Sequence, residues 1–465
     1  MAGIGFVLRK LYRQDNLSGM VSASLHSAFA SAGPWLFTVL ALGAIAALGK
    51  AIVGTDVLFD FRVILIYNFS FSLVISGPVF MIATRYLSDS IYKRDVSNAP
   101  GMLLGSLILM WAIELVIAGA FYFGYADLSF PLAVSAVVNF LLLSAVWLVG
   151  IFISALRNYK LITRSFLGGM MIAVLAAMAL AKNYEATGLL NGFSIGLAVI
   201  VAVLLGNVMA EYPYPIRNIF AFLPYFRKYW QIAASGFVYN MAIWIDKWMM
   251  WFAPEATMMK NKLLIYPFYD STMFIAYLTT VPAMALFLFN TETHFFEHYT
   301  RFYRDIEGKA SFAKIQKNHL AVMRSIFGSA GNFFVLQGSI AFLGTLMAPE
   351  IIGAIKGNYL QVGMLRYGLL GAFFQILTLF LLVLLTYFDN RKACLTIQIF
   401  FLVTNAAFTW GSIQAGFAYY GFGYFVSAFV TFVLAAVILT RYVAKLPYHT
   451  FITSNMSVHE VTAER

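Results

Sequence analysis

The chain has 465 residues, of which 61% are hydrophobic and only 11% are charged, and it carries a formal net charge of +11. Soluble proteins contain roughly 25% charged residues, so this composition excludes an ordinary soluble domain and the nucleic-acid partner that such a charge would suggest for one. Repeated apolar runs of about twenty residues instead predict an all-α integral membrane protein with several spans. The single cysteine, Cys394, excludes a disulfide framework and a metal site built from several cysteines.

The N-terminal segment MAGIGFVLRKLYRQDN predicts a short helix on the membrane surface. Arg9, Lys10 and Arg13 interrupt the apolar run that a cleavable signal peptide would need. Apolar residues such as Phe6 and Leu11 lie beside these charges, a pattern typical of an amphipathic helix at the interface.

About twelve membrane spans are predicted from the apolar runs that follow. Their approximate ranges are 22–49, 62–84, 101–125, 131–155, 161–181, 187–210, 229–252, 264–289, 320–347, 365–387, 393–415 and 419–444. Of the 31 Lys and Arg residues, 23 are assigned to one side of the membrane, seven to the other, and Lys247 falls well inside a span. Because basic loops stay in the cytoplasm, this asymmetry predicts that both termini are cytoplasmic.

The polar stretch EYPYPIRNIF (211–220) divides the chain after six predicted spans. We expect the surface helix and a six-helix lobe over residues 1–215, a second six-helix lobe over 216–445 and a polar cytoplasmic tail over 446–465. The longest loop, 290–319, is expected to be an amphipathic segment on the cytoplasmic face. Since both halves would enter the membrane from the same side, any repeat relation between them is parallel.

Sequence motifs of enzymes are weak. No phosphate-binding G-x-x-x-x-G-K-[ST] motif is present. HFFEH (294–298) matches a zinc-protease pattern, with His294 and His298 one helical turn apart. The flanking sequence favours an amphipathic surface helix, and no soluble domain surrounds it to supply a third ligand or a dry cleft. We therefore expect no catalytic residue, no metal and no cofactor.

Glu114 lies near the centre of the third predicted span, where a carboxylate cannot reach water. It must face the bundle interior or a water-filled cavity, or be protonated. One interpretation is that it lines a substrate path or binds a cation or proton. The alternative is a buried structural hydrogen bond to another span.

The segment NMAIWIDKWMMW (240–251) places Asp246 and Lys247 side by side in the seventh predicted span. Adjacent helical residues diverge by about 100°, so we expect the two side chains to occupy different faces rather than pair. Lys247 falls in a stripe with three tryptophans and is expected either to reach the membrane surface or to bind another span. Asp246 falls on the opposite face near Tyr239 and is expected to point inward.

Other polar residues at membrane depth include Asn240 and Asp270, the latter beside Tyr266 and Tyr269. Individually, such residues more often join helices than bind ligands. Collectively they indicate an interior wet enough for a hydroxyl-rich substrate. The residues predicted to line the substrate path or to bind a cation or proton are Glu114, Asp246, Asp270, Tyr239 and Asn240.

Two Gly-Pro pairs, Gly33-Pro34 and Gly77-Pro78, fall inside the first and second predicted spans. Proline removes a backbone hydrogen bond and bends a helix, and glycine lets a neighbouring helix approach. The pairs are either static kinks or flexible points that rearrange during alternating access.

Five stretches resemble the PelG family of polysaccharide transporters, which is grouped with the MOP flippase superfamily. They are AGIGFVLRK at the N-terminus, SAGPW (31–35), SGPVFMIATRYLSD (76–89), WIDKW (244–248) and the run from Tyr269 to Tyr303. The likeness extends over essentially the whole chain. It implies two six-helix bundles around a central cavity, in agreement with the twelve predicted spans.

The resemblance implies export of a nascent amino-sugar exopolysaccharide, the Pel polymer of biofilms, across the bacterial inner membrane. It also implies three partners: a cytoplasmic glycosyltransferase, a membrane protein that senses cyclic di-GMP and another membrane component of the same machinery. The loop 290–319, with Arg301, Arg304 and Lys309 as its contacts, and the N-terminal surface helix are the expected docking sites, because little else protrudes into the cytoplasm.

Two alternatives to a polymer exporter follow from the same sequence. One is an ion-coupled flippase or antiporter for a lipid-linked oligosaccharide or a small molecule. The other is a membrane-embedded glycosyltransferase, which would need a sizeable extracytoplasmic loop with catalytic groups. The predicted outer loops are short, so the sequence favours transport.

Overall fold

The computed structural model describes residues 17–155, 159–290 and 295–453. The predicted N-terminal surface helix, most of the polar tail and His294 lie outside the described residues. The elements are α1 (Leu17–Tyr92), α2 (Ala99–Gly119) continuing into a π-helix (Ala120–Tyr125), α3 (Phe130–Ala155), α4 (Tyr159–Glu211), α5 (Leu223–Lys228), α6 (Trp230–Met250), β1 (Thr257–Met258), β2 (Leu264–Ile265), α7 (Pro267–Leu278), α8 (Val281–Asn290), α9 (Phe296–Glu307), α10 (Phe312–Leu346), α11 (Ala348–Ala354), α12 (Gln361–Tyr387), α13 (Arg391–Ala415), a 3₁₀ turn (Phe417–Tyr419), α14 (Phe422–Ala444), α15 (Leu446–Tyr448) and a final π-helical turn (His449–Thr453).

The longest helix, α1, is not straight, because the chain doubles back at Gly54. This glycine has φ 81°, a left-handed value that glycine adopts without a steric penalty. A Cβ placed on Gly49 would lie 3.1 Å from the Leu58 side chain. In a straight helix, nine residues would separate the two by about 13 Å along the axis. We refer to residues 17–53 and 55–92 as the two arms of α1.

The helix α4 is likewise a hairpin, with its turn at Glu185 (φ 49°). Its two arms, 159–184 and 186–211, pack through small residues. A Cβ on Gly192 would lie 2.2 Å from the Ala177 backbone, and one on Gly196 would lie 2.4 Å from the Gly169 carbonyl oxygen. Small residues at such crossings allow helix backbones to approach closely where lipid supplies no hydrophobic drive.

Eight helices among the described residues are long and apolar enough to cross a membrane, counting each of the two hairpins once. The predicted helical membrane class is therefore confirmed.

The predicted eighth span, 264–289, is not one continuous helix in the structure. It begins in the antiparallel β1–β2 pair and breaks between α7 and α8 at Thr279 and Thr280. Pro282 explains the break, since it lacks the N–H that would bond to the Leu278 carbonyl and its ring would clash with that carbonyl in a continuous helix.

The chain divides into two compact units, residues 29–270 and residues 271–465 together with 1–28. In the second unit, α12 packs against α10 and α14. Its buried core includes Leu365, Leu369 and Ala372. A polar contact joins the same helices, because the Tyr424 hydroxyl donates to Gln375 Oε1 at 2.5 Å.

The first unit contains a buried network of neutral polar side chains, Asn68, Tyr122, Asn139 and Ser194, which we call the asparagine network. Tyr122 donates to Asn68 Oδ1 (2.6 Å), and Asn68 Nδ2 donates to Asn139 Oδ1 (2.9 Å) and to a backbone carbonyl of α3 (3.0 Å). Asn139 donates to Ser194 (3.0 Å), which donates to the Leu190 carbonyl (2.8 Å). The network joins α1, the π-helix after α2, α3 and α4.

Candidate functional site

The most unusual feature of the first unit is a buried ion pair near the end of α6. Asp246 is 0% exposed and Lys247 is 4% exposed. Lys247 Nζ lies 3.1 Å from each Asp246 carboxylate oxygen and donates to the Ile243 carbonyl at 2.9 Å. The Tyr269 hydroxyl, from α7, donates to Asp246 Oδ2 at 2.9 Å. Buried charges are tolerated when they are paired and hydrogen-bonded in this way.

The prediction that Asp246 and Lys247 would occupy separate faces is therefore wrong. The angle of about 100° between adjacent residues fixes only where their Cβ atoms point. The flexible four-carbon stem of lysine can turn back along the helix, and the cost of leaving either charge buried alone favours that conformation. Lys247 is buried, so the expectation that it reaches the membrane surface does not describe it either. The inward placement of Asp246 agrees with its burial.

A second carboxylate, Asp270 in the first turn of α7, follows Tyr269 directly in the chain. Trp251 Nε1 donates to Asp270 Oδ2 at 3.0 Å. Asp270 Oδ1 is buried and has no hydrogen-bond partner among the described residues. Asp246, Lys247, Tyr269 and Asp270, here called the charge cluster, thus combine two carboxylates with one ammonium. The free acceptor could take a proton, a cation or a substrate hydroxyl.

Aromatic rings extend from the charge cluster in a stack, which we call the aromatic column. Trp251 stacks on Tyr67 (centroids 4.6 Å apart), Tyr67 on Phe121 (5.7 Å) and Phe121 on Tyr125 (5.6 Å). The planes of successive rings differ by 18°, 20° and 26°. The Tyr67 hydroxyl accepts from the Leu264 N–H at 3.0 Å and donates to the Leu264 carbonyl at 2.8 Å, so β2 holds this ring in place.

Glu114 occupies the interior of the first unit, which is one of the environments that the sequence allows for it. Its side chain is 0% exposed, and Ser144 of α3 donates to Oε2 at 2.5 Å. Its other oxygen, Oε1, is buried without a hydrogen-bond partner among the described residues. The Ser144 contact supplies the structural hydrogen bond of the alternative interpretation, while Oε1 leaves capacity for a proton or a cation.

The Gly77-Pro78 pair of α1 lies where α6 crosses closely. A Cβ on Gly77 would lie 2.5 Å from the Gly236 carbonyl oxygen, and one on Gly236 would lie 2.5 Å from that of Gly77. Asn240, one turn further along α6, donates its amide to the Leu73 carbonyl at 3.1 Å. In this conformation Gly77 and Asn240 therefore both join α6 to α1.

The remaining predicted site residues lie on α6, on the first arm of α1 and on α9. Tyr239 is half-buried on α6, and Pro34 is half-buried next to the buried Gly33 in the first arm of α1. The Thr38 hydroxyl donates to the Pro34 carbonyl at 2.9 Å, a bond within one helix. His298 is half-buried, and the described residues contain no group of three potential metal ligands.

The predicted docking residues belong to the second unit, on and after the amphipathic helix α9. Arg301, Arg304 and Lys309 are exposed, and Arg301 forms an ion pair with Glu297 at 3.1 Å. Partial burial alone would raise the pKa of Asp305, but hydrogen bonds from Lys314 and Asn318 outweigh it and lower that pKa. These bonds join α9 to α10. They do not involve the three predicted docking cations, which are exposed.

Sequence reasoning missed several partners that complete these sites. Asn68, Ser144 and Trp251 supply hydrogen bonds to Asn139, Glu114 and Asp270 respectively. Asn68 could have been found by the rule that singled out Asn240, since both are amides inside apolar runs. The role of Trp251 has no sequence signal, because a tryptophan at a span end is ordinary in membrane proteins.

Comparison with solved structures places the fold among transporters. The chain is similar to a MOP superfamily transporter from Pyrococcus furiosus, with a TM-score of 0.58 and 13% identity over 90% of this chain and 96% of that one. It is also similar to the Vibrio cholerae MATE transporter VcmN in its bent form, with a TM-score of 0.60 and 12% identity over 90% and 98%. At these identities the likeness concerns the fold alone. No curated protein matches the chain.

A family model covers nearly the whole sequence. It matches residues 1–451 and is described as "PelG: Putative exopolysaccharide Exporter (EPS-E)". Together with the apolar helices and the transporter fold, this match describes a multi-pass membrane transporter, for which the bacterial inner membrane is the consistent location. The chain belongs to the PelG family of exopolysaccharide exporters.

Proposed function

We propose that this protein moves a nascent Pel-type polymer, rich in amino sugars, across the bacterial inner membrane without catalysing a reaction on it. Family membership and the MOP transporter fold support export. The observation that carries the proposal at the level of residues is the charge cluster. Functional transport groups are the usual reason for ionisable residues at membrane depth.

Twelve membrane crossings fit the elements of the fold. The hairpins α1 and α4 cross twice each, and α2, α3, α6, the broken pair α7–α8, α10, α12, α13 and α14 cross once each. An even number returns the chain to its starting side, and the distribution of Lys and Arg assigns that side to the cytoplasm.

In the proposed mechanism, the residues that line the polymer path lie along the second half of α6 and at the start of α7: Tyr239, Asn240, Asp246 and Asp270. Their carboxylates, hydroxyl and amide suit the hydroxyl and acetamido groups of sugars, because each can form hydrogen bonds with them. The bends at Gly33-Pro34 and Gly77-Pro78 allow the arms of α1 to shift as the path opens.

The test of this proposal measures secreted polymer in host cells that lack the chromosomal copy of the gene. The wild-type gene should restore secretion. Asp246→Asn and Asp270→Asn should lower secretion by at least about tenfold per unit of protein in the membrane. Normal secretion by both variants at normal membrane levels would remove the charge cluster from the transport path. Failure of the wild-type gene to restore secretion would contradict the function itself.

An ion-coupled flippase for a lipid-linked oligosaccharide is the second candidate. The free oxygens of Glu114 and Asp270 favour it, since each could bind a proton or a cation. Purified protein in proteoliposomes should then flip a labelled lipid-linked oligosaccharide only under a proton or sodium gradient. Glu114→Gln should abolish that dependence. Flipping that is absent under every gradient would leave polymer export as the better account.

We also propose that the exposed cations on and after α9 dock the cytoplasmic glycosyltransferase of the pathway, and that the cyclic-di-GMP sensor and the further membrane component join the same complex. Reversing Arg301, Arg304 and Lys309 to glutamate should lower co-purification of the glycosyltransferase at unchanged membrane levels. The matched control reverses Lys260, Lys262 and Lys356, which are equally exposed and lie in loops of the opposite predicted side. Equal co-purification of both triple variants would contradict docking at this surface.

A further inference from the structure

The aromatic column is more ordered than the aromatic residues of a membrane interface need to be. Interfacial Trp and Tyr residues place amphipathic rings at headgroup depth, which does not require the rings to stack on one another. Here four rings from three segments, α1, the π-helix after α2, and the end of α6, stack in succession, and the planes of neighbouring rings differ by at most 26°. A shorter branch adds Phe71 on Trp248, with centroids 4.4 Å apart and planes 8° apart.

The outer end of the column is open. Tyr125 is 52% exposed, whereas Tyr67 and Trp251 are 7% and 3% exposed. Phe121 covers one face of the Tyr125 ring, so the exposed area belongs to the rest of that side chain. The π-helix turns Tyr122 into the asparagine network while Phe121 and Tyr125 join the column. Tyr125 is therefore held on a rigid support rather than on a free loop.

The inner end of the column carries unmet hydrogen-bonding capacity. Trp248 Nε1 is a buried donor and Asp270 Oδ1 a buried acceptor, and neither atom has a partner among the described residues. Trp248 and Trp251 lie one turn apart on α6, and Trp251 donates to the other oxygen of Asp270. A hydroxyl group both donates and accepts, so hydroxyl groups could satisfy a donor of this kind and an acceptor of this kind.

We infer that the aromatic column supports a binding site for a pyranose ring at its open end, where the exposed side of Tyr125 contacts the sugar. The apolar C–H face of a pyranose packs on an aromatic ring, and its hydroxyls reach polar groups at the edge of the site. Under the proposed topology Tyr125 lies at the extracytoplasmic end of its span, so the site would hold the polymer as it leaves. This inference rests on the proposed export function and names where that function contacts its substrate.

Tyr125→Ala, Tyr125→Phe and Phe130→Ala test the inference. Phe130 is the matched control because it is 73% exposed, begins the next helix and lies outside the column, contacting Phe123 instead. Binding of an N-acetylhexosamine oligosaccharide to purified protein in detergent should weaken about tenfold in Tyr125→Ala, the scale of one lost aromatic contact. Binding by Tyr125→Phe and Phe130→Ala should stay within about twofold of wild type.

Each other outcome overturns the inference in a recognisable way. Unchanged binding by Tyr125→Ala would remove Tyr125 as a sugar site while leaving export intact. Equal loss of membrane level in Tyr125→Ala and Phe130→Ala, with equal binding, would show that Tyr125 is a lipid-interface anchor. If wild-type protein binds no oligosaccharide, the sugar site at Tyr125 is refuted. In that case, secretion restored by the wild-type gene would preserve the export function, and failure to restore it would refute both.

Discussion

The asparagine network and the charge cluster are two buried polar regions of the same unit, and they differ in charge and in completeness. In the network, neutral side chains pair in succession from Tyr122 to Ser194. In the charge cluster, a buried ion pair lies beside a second carboxylate that keeps one oxygen without a partner among the described residues.

We interpret the asparagine network as a group that stabilises the fold and the charge cluster as a group that serves transport. A neutral network whose members are all hydrogen-bonded fixes the positions of its helices at little electrostatic cost. Buried charges are expensive in a membrane, and replacing an ion pair with apolar residues is often neutral or stabilising. Stability alone therefore gives little reason for Asp246 and Lys247, whereas it suffices for Asn68 and Asn139.

The largest effect is expected from breaking the ion pair on one side. Lys247→Met should lower the free energy of unfolding by about 3–5 kcal/mol, because it leaves a buried carboxylate without its ammonium. Thermal unfolding of the purified protein in detergent measures the change. Lys182→Met, at an exposed position, is the control and should change stability little. Equal stability of the two variants would show that the Asp246–Lys247 contact does not contribute to the free energy of unfolding.

A smaller loss is expected from the neutral network. Ser194→Ala removes the acceptor of the Asn139 amide and should cost about 1–3 kcal/mol. Secretion per unit of membrane protein should not change. Ser70→Ala is the control, because Ser70 is also buried but donates to the Tyr67 carbonyl within its own helix. A specific secretion defect in Ser194→Ala would assign the asparagine network to transport. It would contradict the proposed difference in role between the network and the charge cluster.

A similar loss of stability is expected when the crossing of α1 and α6 is crowded. Gly77→Ala places a methyl group against the Gly236 backbone and should destabilise the protein by about 1–3 kcal/mol. Gly43→Ala, which meets no atom within 4 Å, should be neutral or slightly stabilising. If both variants unfold at the same temperature, the close contact is not part of the native packing.

The smallest effect on stability is expected at Glu114. Glu114→Gln keeps an oxygen that accepts from Ser144 and preserves the side-chain volume, so unfolding should change by about 1 kcal/mol or less. Secretion should nevertheless fall if the carboxylate binds a proton or a cation. Normal secretion would place Glu114 with the asparagine network as a structural residue.

The sequence predicted the parts of this molecule that follow from composition and local pattern. Apolar runs located the helices, and the cost of charge at membrane depth singled out Glu114, Asp246 and Asp270. The helical wheel failed for Lys247 because it ignores the length and flexibility of the side chain. The hydrogen bonds of Asn68 to Asn139 and of Trp251 to Asp270 depend on how distant segments pack, which no local pattern encodes.

The double variant Asp246→Asn/Lys247→Met tests the central claim most directly, because it removes both charges and leaves neither unpaired. Secreted polymer is measured per unit of membrane protein, beside thermal unfolding of the purified variant. We predict that stability returns to within about 1 kcal/mol of wild type while secretion stays at least about tenfold lower. Wild-type secretion by this stable variant would contradict the claim that the buried charges serve transport.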